Sequence, residues 1–406
     1  MQKFEKHSPV VVTEVTTKHE LRQFMQYPNR LYADNPNYIP SFYGDDLSDW
    51  TPGKNPAFDY CEARCWLARR DGEIVGRIGA ILSHKANDKF GTHRMRFSQV
   101  DFVDDSEVSA ALFGTVERWA RQKGCDQVHG PLGFTDMDRE GMLVEGFDRR
   151  SLFFTNYNAP YYLEHLTRLG YRKDVDWIEY RITVPEPGGA EAERLHKLSE
   201  FILKRKHLHV ATVHHKSEYG PFVRQVFELV NAAYAPLYGV VELSDEQIER
   251  YANKFIPLVD PDFVCFVVDE QDQLVAFGVT ALDPSVALKH SDGRLFPFGW
   301  AGVLNDLHHS DTLIMLLTAV RPDLQTEGIN AVMMDHVCQS CNRHGVHFAE
   351  TGPMLELNDH ILAQWKRLEK EQHKRRRCFI KDLDHDVNAA NAAAAQTETP
   401  ETESAE

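Results

Sequence analysis

Two stretches of the chain repeat one order of apolar and polar positions. In the first, Trp66-Leu67-Ala68 and the run from Ile74 to Leu82 flank Asp71-Gly72. An Asp-Gly pair between apolar runs supplies the positive φ of a tight hairpin turn. In the second, Phe263 to Val268 and Leu274 to Val279 flank a polar turn through Gln271. A further strand follows each hairpin, Phe97 to Val103 and Thr312 to Val320. Val108, Leu112, Val116 and Trp119 then step at helical spacing, with Ser106 expected as N-cap, and Ile329, Val332, Met333 and Val337 step likewise. Each helix stops at a glycine, Gly124 or Gly345, and a short strand follows that ends in Gly130-Pro131 or Gly352-Pro353. Hairpin, strand, helix, strand in duplicate reads as a tandem duplication. The expected fold class is α+β (mixed α/β), each half a mixed sheet flanked by helices.

The Pro/Gly cluster Val184-Pro185-Glu186-Pro187-Gly188-Gly189-Ala190 predicts a linker between domains at 1–184 and 190–385. The segment 386–406, rich in Ala, Asn, Thr and Glu, has too little apolar surface to offset its ordering entropy and is expected to be disordered. No run approaches the ~18 apolar residues that cross a bilayer, and no apolar stretch follows the polar N-terminus, so neither a membrane span nor a secretory signal is predicted. Seven irregularly spaced cysteines make no disulfide framework, which points to the cytoplasm. A net charge of −16 argues against non-specific nucleic-acid binding, which needs basic surface.

Chemistry concentrates where the strand Thr312 to Val320 turns into a helix. Pro322 ends the strand because it cannot donate to a ladder, Gly328 lets backbone approach a ligand closely, and free amides at the new helix start suit a pyrophosphate. Val320-Arg321-Pro322-Asp323-Leu324-Gln325-Thr326-Glu327-Gly328-Ile329-Asn330 resembles the acetyl-CoA motif of GNAT N-acyltransferases, Val-x-Pro-Glu-Tyr-Arg/Gln-x-x-Gly-Ile-Gly, with Asn330 at the final Gly. The resemblance implies two tandem GNAT-like domains and acyl-CoA as co-substrate, with no tightly bound cofactor. It also implies that the edge Thr318-Ala319-Val320 bonds the pantetheine arm while Gln325, Thr326, Glu327, Gly328, Ile329 and Asn330 hold the pyrophosphate. In the first half, Asp104-Asp105-Ser106-Glu107 follows the strand instead, and carboxylates there would repel a pyrophosphate. One CoA site is therefore expected, with the first half on the acceptor side.

The segment from Gly130 to Asp148 carries a longer match, together with Asn35-Pro36-Asn37-Tyr38-Ile39-Pro40, Lys54-Asn55-Pro56, Gly76-Arg77-Ile78, Tyr157-Asn158, Tyr161-Tyr162, Gly170-Tyr171-Arg172-Lys173, Asp176-Trp177 and Arg376-Arg377-Cys378-Phe379. These residues resemble the YghO-like family that contains the bacterial ceramide synthases. That resemblance implies transfer of a fatty acyl group to the amine of a long-chain base. It would also bring peripheral contact with the inner membrane.

N-acylation needs a group that takes the amine proton. Asp136, Asp138, Glu140 and Glu145 lie close together in a glycine-bounded loop and would raise one another's pKa in a shared pocket. Asp136, Asp138 and Glu145 are the preferred candidates because apolar residues flank them; Asx-turns or pairing with Arg139, Arg149 and Arg150 would explain the same acids without catalysis. Leu166 stands where GNAT enzymes often carry a general-acid Tyr, so Tyr157 or Tyr161 could substitute only from elsewhere, and Glu350 is a further candidate base. Cys338 and Cys341, with His336 and His344, fall inside one helix, where a closed metal site is disfavoured. His207, His209, His214 and His215 lack a metalloprotease Glu, and Lys374-Arg375-Arg376-Arg377 reads as a solvated helix end, or as a contact for the CoA 3′-phosphate or an anionic membrane surface. The alternatives to a fatty N-acyltransferase are a short-chain N-acetyltransferase acting on a small amine or amino acid, an aminoacyl-tRNA-dependent enzyme, and a non-catalytic acyl-CoA-binding protein.

Overall fold

The computed structural model describes residues 8–383, so the tail expected to be disordered from 386 lies outside the described residues. The first half contributes strands β1 (Val11–Glu14), β2 (Cys61–Arg70), β3 (Glu73–Ser83), β4 (Arg94–Phe102), β5 (Gln127–Gly130), β6 (Met142–Glu145) and β7 (Arg172–Thr183). The second contributes β8 (His209–Val210), β9 (Val264–Val268), β10 (Leu274–Leu282), β11 (Thr312–Val320), β12 (Phe348–Glu350), β13 (Met354–Leu355) and β14 (Lys370–Asp382). They form one mixed sheet in the order β1-β2-β3-β4-β5-β14-β7-β12-β11-β10-β9-β8, with β6 beside β14 and β13 beside β7. This is the α+β class expected. The two halves exchange their last strands: β14 lies between β5 and β7, and β7 lies against β12.

The local signals behave as their chemistry requires. Asp71 (φ 51°) and Gly72 (φ 84°) make the β2–β3 turn. The helix Ser106–Gln122 buries Val108, Leu112, Val116 and Trp119 against Phe97 and Phe102 of β4, and each such side chain contributes about 1.5–3 kcal/mol. Its N-cap is Asp105, not Ser106: the Asp105 carboxylate accepts from the Glu107 amide at 2.8 Å and the Val108 amide at 3.3 Å. A second expectation fails at residues 374–377. They form the middle of β14 rather than a solvated helix end, and the two-residue period of a strand splits the basic run. Lys374 and Arg376 turn inward to the fully buried Glu179, whereas Arg375 and Arg377 pair with Asp176 at 3.1 and 2.7 Å.

Both halves carry a β-bulge at the same point. Register slips between Arg77 and Gly79 where β3 meets β4, and between Val279 and Thr280 where β10 meets β11. A bulge bends its strand. Accordingly β11 runs parallel to β12 only from Thr312 to Ile314, and β4 to β5 only from Arg94 to Arg96. Beyond those pairs the strands splay apart and leave a cleft in the sheet.

Candidate active site

In the second half the splay opens into a cavity of about 170 Å³. Its walls are Met333 and Val337 of the helix Asn330–His344 on one side and Ile361 and Trp365 on the other, over a floor of β11 and Ala349 of β12. Thr318 lines it, and Ala319 and Val320 continue the same strand edge. The Thr318 carbonyl accepts a hydrogen bond from the Tyr234 hydroxyl at 2.8 Å.

The turn after β11 stands at the mouth of the cleft. Gln325, Thr326, Glu327 and Gly328 are exposed, Asn330 is half-buried, and Ile329 is buried as the anchor of the helix start. Gly328 has φ +81°, a backbone that favours glycine. Among the described residues the Gly328 and Ile329 amides donate to no carbonyl, so they stand unpaired at the positive end of the helix dipole. Lys206, at the end of the helix Ala190–Lys206, adds positive charge there: its Nζ is 2.6 Å from Glu327, whose carboxyl it holds below the usual range. The basic run Lys204-Arg205-Lys206 carries no functional signal in the sequence, because the helix places it beside the turn only in the fold.

The same strand edge in the first half is closed. Phe102 faces that edge as Thr318 does in the second half, and its amide donates to the Tyr162 hydroxyl at 2.7 Å while its carbonyl accepts from Tyr161 at 2.5 Å. Tyr162 and Leu166 are wholly buried in the helix Tyr161–Arg168, so packing accounts for both.

Three of the four clustered acids come together where the first half meets the second. Asp138 is a structural Asx-turn: its Oδ2 accepts from the Phe134 amide at 2.8 Å and the Thr135 amide at 3.2 Å, and burial, with Asp49, raises its pKa. It also lines a small pocket with Asp45, Asp46 and Asp49, whose charges are met by Arg139, Arg250 and Lys254. Asp136 differs. Its Oδ1 is buried with no hydrogen-bond partner, and burial pushes its pKa up to about 6. Burial, and then the Asp136 charge, raises both the neighbouring Glu140 carboxyl and the Tyr234 hydroxyl that bonds Thr318. Met137, between the two aspartates, packs on the same buried cluster as Leu316 and Leu317 of β11. The acidic loop of one half therefore packs against the other half beside β11.

The remaining candidates are not brought to this place. Glu145 is exposed on β6 and pairs with Arg375 at 3.3 Å. Tyr157 is buried against Tyr32 and Tyr38, where it accepts from Asn35 at 2.6 Å. Glu350 ends β12, but its carboxylate lies 3.2 Å from the Nζ of the buried Lys374. Cys338 and Cys341 line the cleft with thiols that burial pushes up to about 11 and about 12, while His344 faces Asp262 at 2.7 Å. His207 and His209 face Glu270 and Asp272 on the surface. A closer grouping, His129, Asp174 and Cys378, was not legible in the sequence because strand exchange assembles it; the Tyr238 hydroxyl reaches all three, at 3.0, 2.5 and 3.5 Å. Tyr234 is equally silent in the sequence, since nothing in its spacing separates it from helix packing.

A duplicated, bulged and splayed mixed sheet defines the chain as a tandem GNAT fold. Among solved structures, a tandem GNAT protein from the clavulanic acid biosynthesis pathway is 13% identical with a TM-score of 0.52, over 92% of this chain and 99% of that one. The GCN5-related glucosamine N-acetyltransferase region of a fungal multi-domain β-N-acetylglucosaminidase is 11% identical with a TM-score of 0.52, over 92% of this chain and 38% of that one. No family model matches the chain. Protein YghO of Escherichia coli (strain K12) is 27% identical over 379 residues, 92% of this chain and 95% of its own length. The bacterial ceramide synthase of Caulobacter vibrioides is 28% identical over 300 residues, 72% of this chain and 75% of its own. The resemblance to the YghO-like family and its ceramide synthases thus extends across most of the chain.

Proposed function

We propose that the protein is an N-acyltransferase that moves a fatty acyl group from acyl-CoA to the amine of a long-chain base. The observation that carries the fatty-acyl reading lies behind the β11 bulge. Val279, Leu316 and Leu317 line the cleft and also a second cavity, of about 70 Å³, on the far side of the strand. That second cavity is walled by Val223, Phe227, Ala252 and Phe255 and exposes only apolar surface. An acyl chain starting at a thioester beside the bulge would continue into it and remove its methylenes from water, at about 0.8 kcal/mol each. An acetyl group would leave it unused.

In this reading the edge Thr318-Ala319-Val320 takes the pantetheine arm, the amides from Gln325 to Asn330 take the pyrophosphate, and Lys206 supplies countercharge. The acceptor nitrogen attacks the thioester carbon, its proton passes to the Asp136 carboxylate, and the C–S bond breaks to release CoA. A base of pKa about 6 is mostly ionised at neutral pH and still strong enough to accept that proton. The name of the Caulobacter relative, a ceramide synthase, agrees with a long-chain amine acceptor. The chain would work as two repeated units, the first serving the acceptor and the second the donor, in the cytoplasm at the inner membrane. Among the described residues, no helix is long and apolar enough to cross a membrane.

The test is turnover of purified protein with sphinganine across acyl-CoA chain lengths, joined to mass spectrometry of lipids from cells with and without the protein. Long-chain acyl-CoA should be preferred and N-acylated sphingoid species should vanish with the gene. A preference for acetyl-CoA, or unchanged N-acylated sphingoids, would sink the proposal.

A further inference from the structure

The connection between β10 and β11 holds an aromatic edge, where the β3–β4 connection of the first half exposes Phe90. Phe296 and Phe298 are 80% and 81% exposed, and Trp300, one residue into the helix Gly299–His309, is 48% exposed. Leu304, one turn further on, shares that face with Trp300 and is also exposed. At the same point of the first half, β3 and β4 are joined by the short helix His84–Phe90. The edge is held from below, because Leu288 and Val303 are buried and Leu295 and Leu307 pack against their cluster. The Trp300 indole N–H is satisfied by the Pro297 carbonyl at 3.1 Å. Contiguous exposed apolar residues of this size mark a binding surface.

A cavity of about 650 Å³ opens beneath this edge, with Phe296 on its rim. Its walls come from both halves, Arg22 and Tyr43 on one side and Pro257 and Leu258 on the other. Phe42, Asp45 and Lys254 are shared between it and the pocket that holds Asp138, and Phe255 joins that pocket to the apolar cavity behind β11. The cavities thus share walls in a row from the aromatic edge to the acidic loop.

We propose that Phe296, Phe298 and Trp300 dock the protein on a lipid bilayer, so that a single-chain amphiphilic amine passes from the membrane through this cavity to the acids. The route rests on the acyl-transfer reading; the docking surface does not. A protein partner or second copy seated on the edge would cover the cavity mouth, whereas a bilayer is itself the source of the substrate. Phenylalanine and an internally bonded tryptophan suit the headgroup–acyl boundary.

The test is co-sedimentation of the full chain with vesicles of phosphatidylethanolamine and phosphatidylglycerol, beside a variant carrying Phe296→Ser, Phe298→Ser and Trp300→Ser. The wild type should pellet with vesicles, and the variant's bound fraction should fall at least about tenfold, since it loses most of the inserted apolar area. The variant should keep the wild-type unfolding midpoint and CoA affinity, because all three side chains face solvent. Wild type left in the supernatant, equal pelleting of both, or a wild-type dimer abolished in the variant would overturn the proposal. Vesicle binding is read without any reaction, so it fails separately from acyl transfer.

Discussion

The Tyr162 hydroxyl accepts the Phe102 amide at 2.7 Å, on the strand edge whose counterpart in the other half is Thr318. Tyr161 takes the carbonyl of the same residue, so both backbone groups that a pantetheine arm would use are occupied. At the adjoining helix start, Asp105 already caps two amides. One CoA per chain should bind, at the second half. Calorimetric titration reads the stoichiometry, and two equivalents would contradict the closure of the first edge.

Gly328→Val should remove that binding. A β-branched residue at φ +81° costs about 1–2 kcal/mol, and a Cβ there would stand 3.2 Å from Ile202 Cδ1. The turn would shift and its amides with it. CoA affinity should fall at least about tenfold with unchanged far-ultraviolet circular dichroism, since 1.4 kcal/mol is tenfold.

Asp136 gives a pH signature of two signs. As a general base it must be ionised, so turnover should rise as pH passes through about 6 and then level off. Its folded pKa is raised above the ordinary 3.8, so the native state holds the proton longer than the unfolded chain does. Its contribution to stability is fully present below the ordinary value and is lost as pH rises through about 6. Asp136→Asn should therefore stop turnover, spare CoA binding and raise stability at pH 8 by on the order of 1–3 kcal/mol. A variant that turns over normally would remove Asp136 from the reaction.

How far these features could be read in the chain follows from how local they are. The hairpins, the strand before Pro322, the glycine stops and the turn at Gly328 are set by neighbours in sequence, and all appear as expected. The bulge at Leu316 and the splay behind it depend on pairing with β10 and β12, so no residue announces them. Lys374 to Arg377 misled because four basic residues in a row suit a solvated helix; only strand exchange brings Glu179 and Asp176 to opposite faces of that run. Asp136 and Glu145 are nine positions apart and alike in sequence, yet burial leaves the Oδ1 of one without a partner and solvent leaves the other to Arg375.

The second apolar cavity predicts a change in chain-length preference. Ala252 lies on the helix Asp245–Phe255 and faces the cavity. Ala252→Phe should fill it at a cost of about 1–3 kcal/mol in stability. Turnover with long-chain acyl-CoA should drop about tenfold or more while short-chain turnover holds, because only the chain end is displaced. An equal loss at every chain length would show that the acyl group lies elsewhere.

Glu179 should govern the acid limit of folding. Burial would raise its pKa, but Arg376 and Lys374 on the neighbouring strand outweigh burial and hold it below the ordinary 4.5. A depressed folded value means that the stability it brings is present above 4.5 and is lost as pH falls through the folded value. Glu179→Gln leaves the buried Lys374 and Arg376 without this anion at the seam where β7 and β14 exchange. The substitution should cost about 3–5 kcal/mol at neutral pH. Because the variant no longer titrates there, the gap to wild type should narrow as pH falls below the ordinary glutamate range. Denaturant titrations at several pH values read both effects, and a gap that widens on acidification would show that the two strands are not held together by this carboxylate.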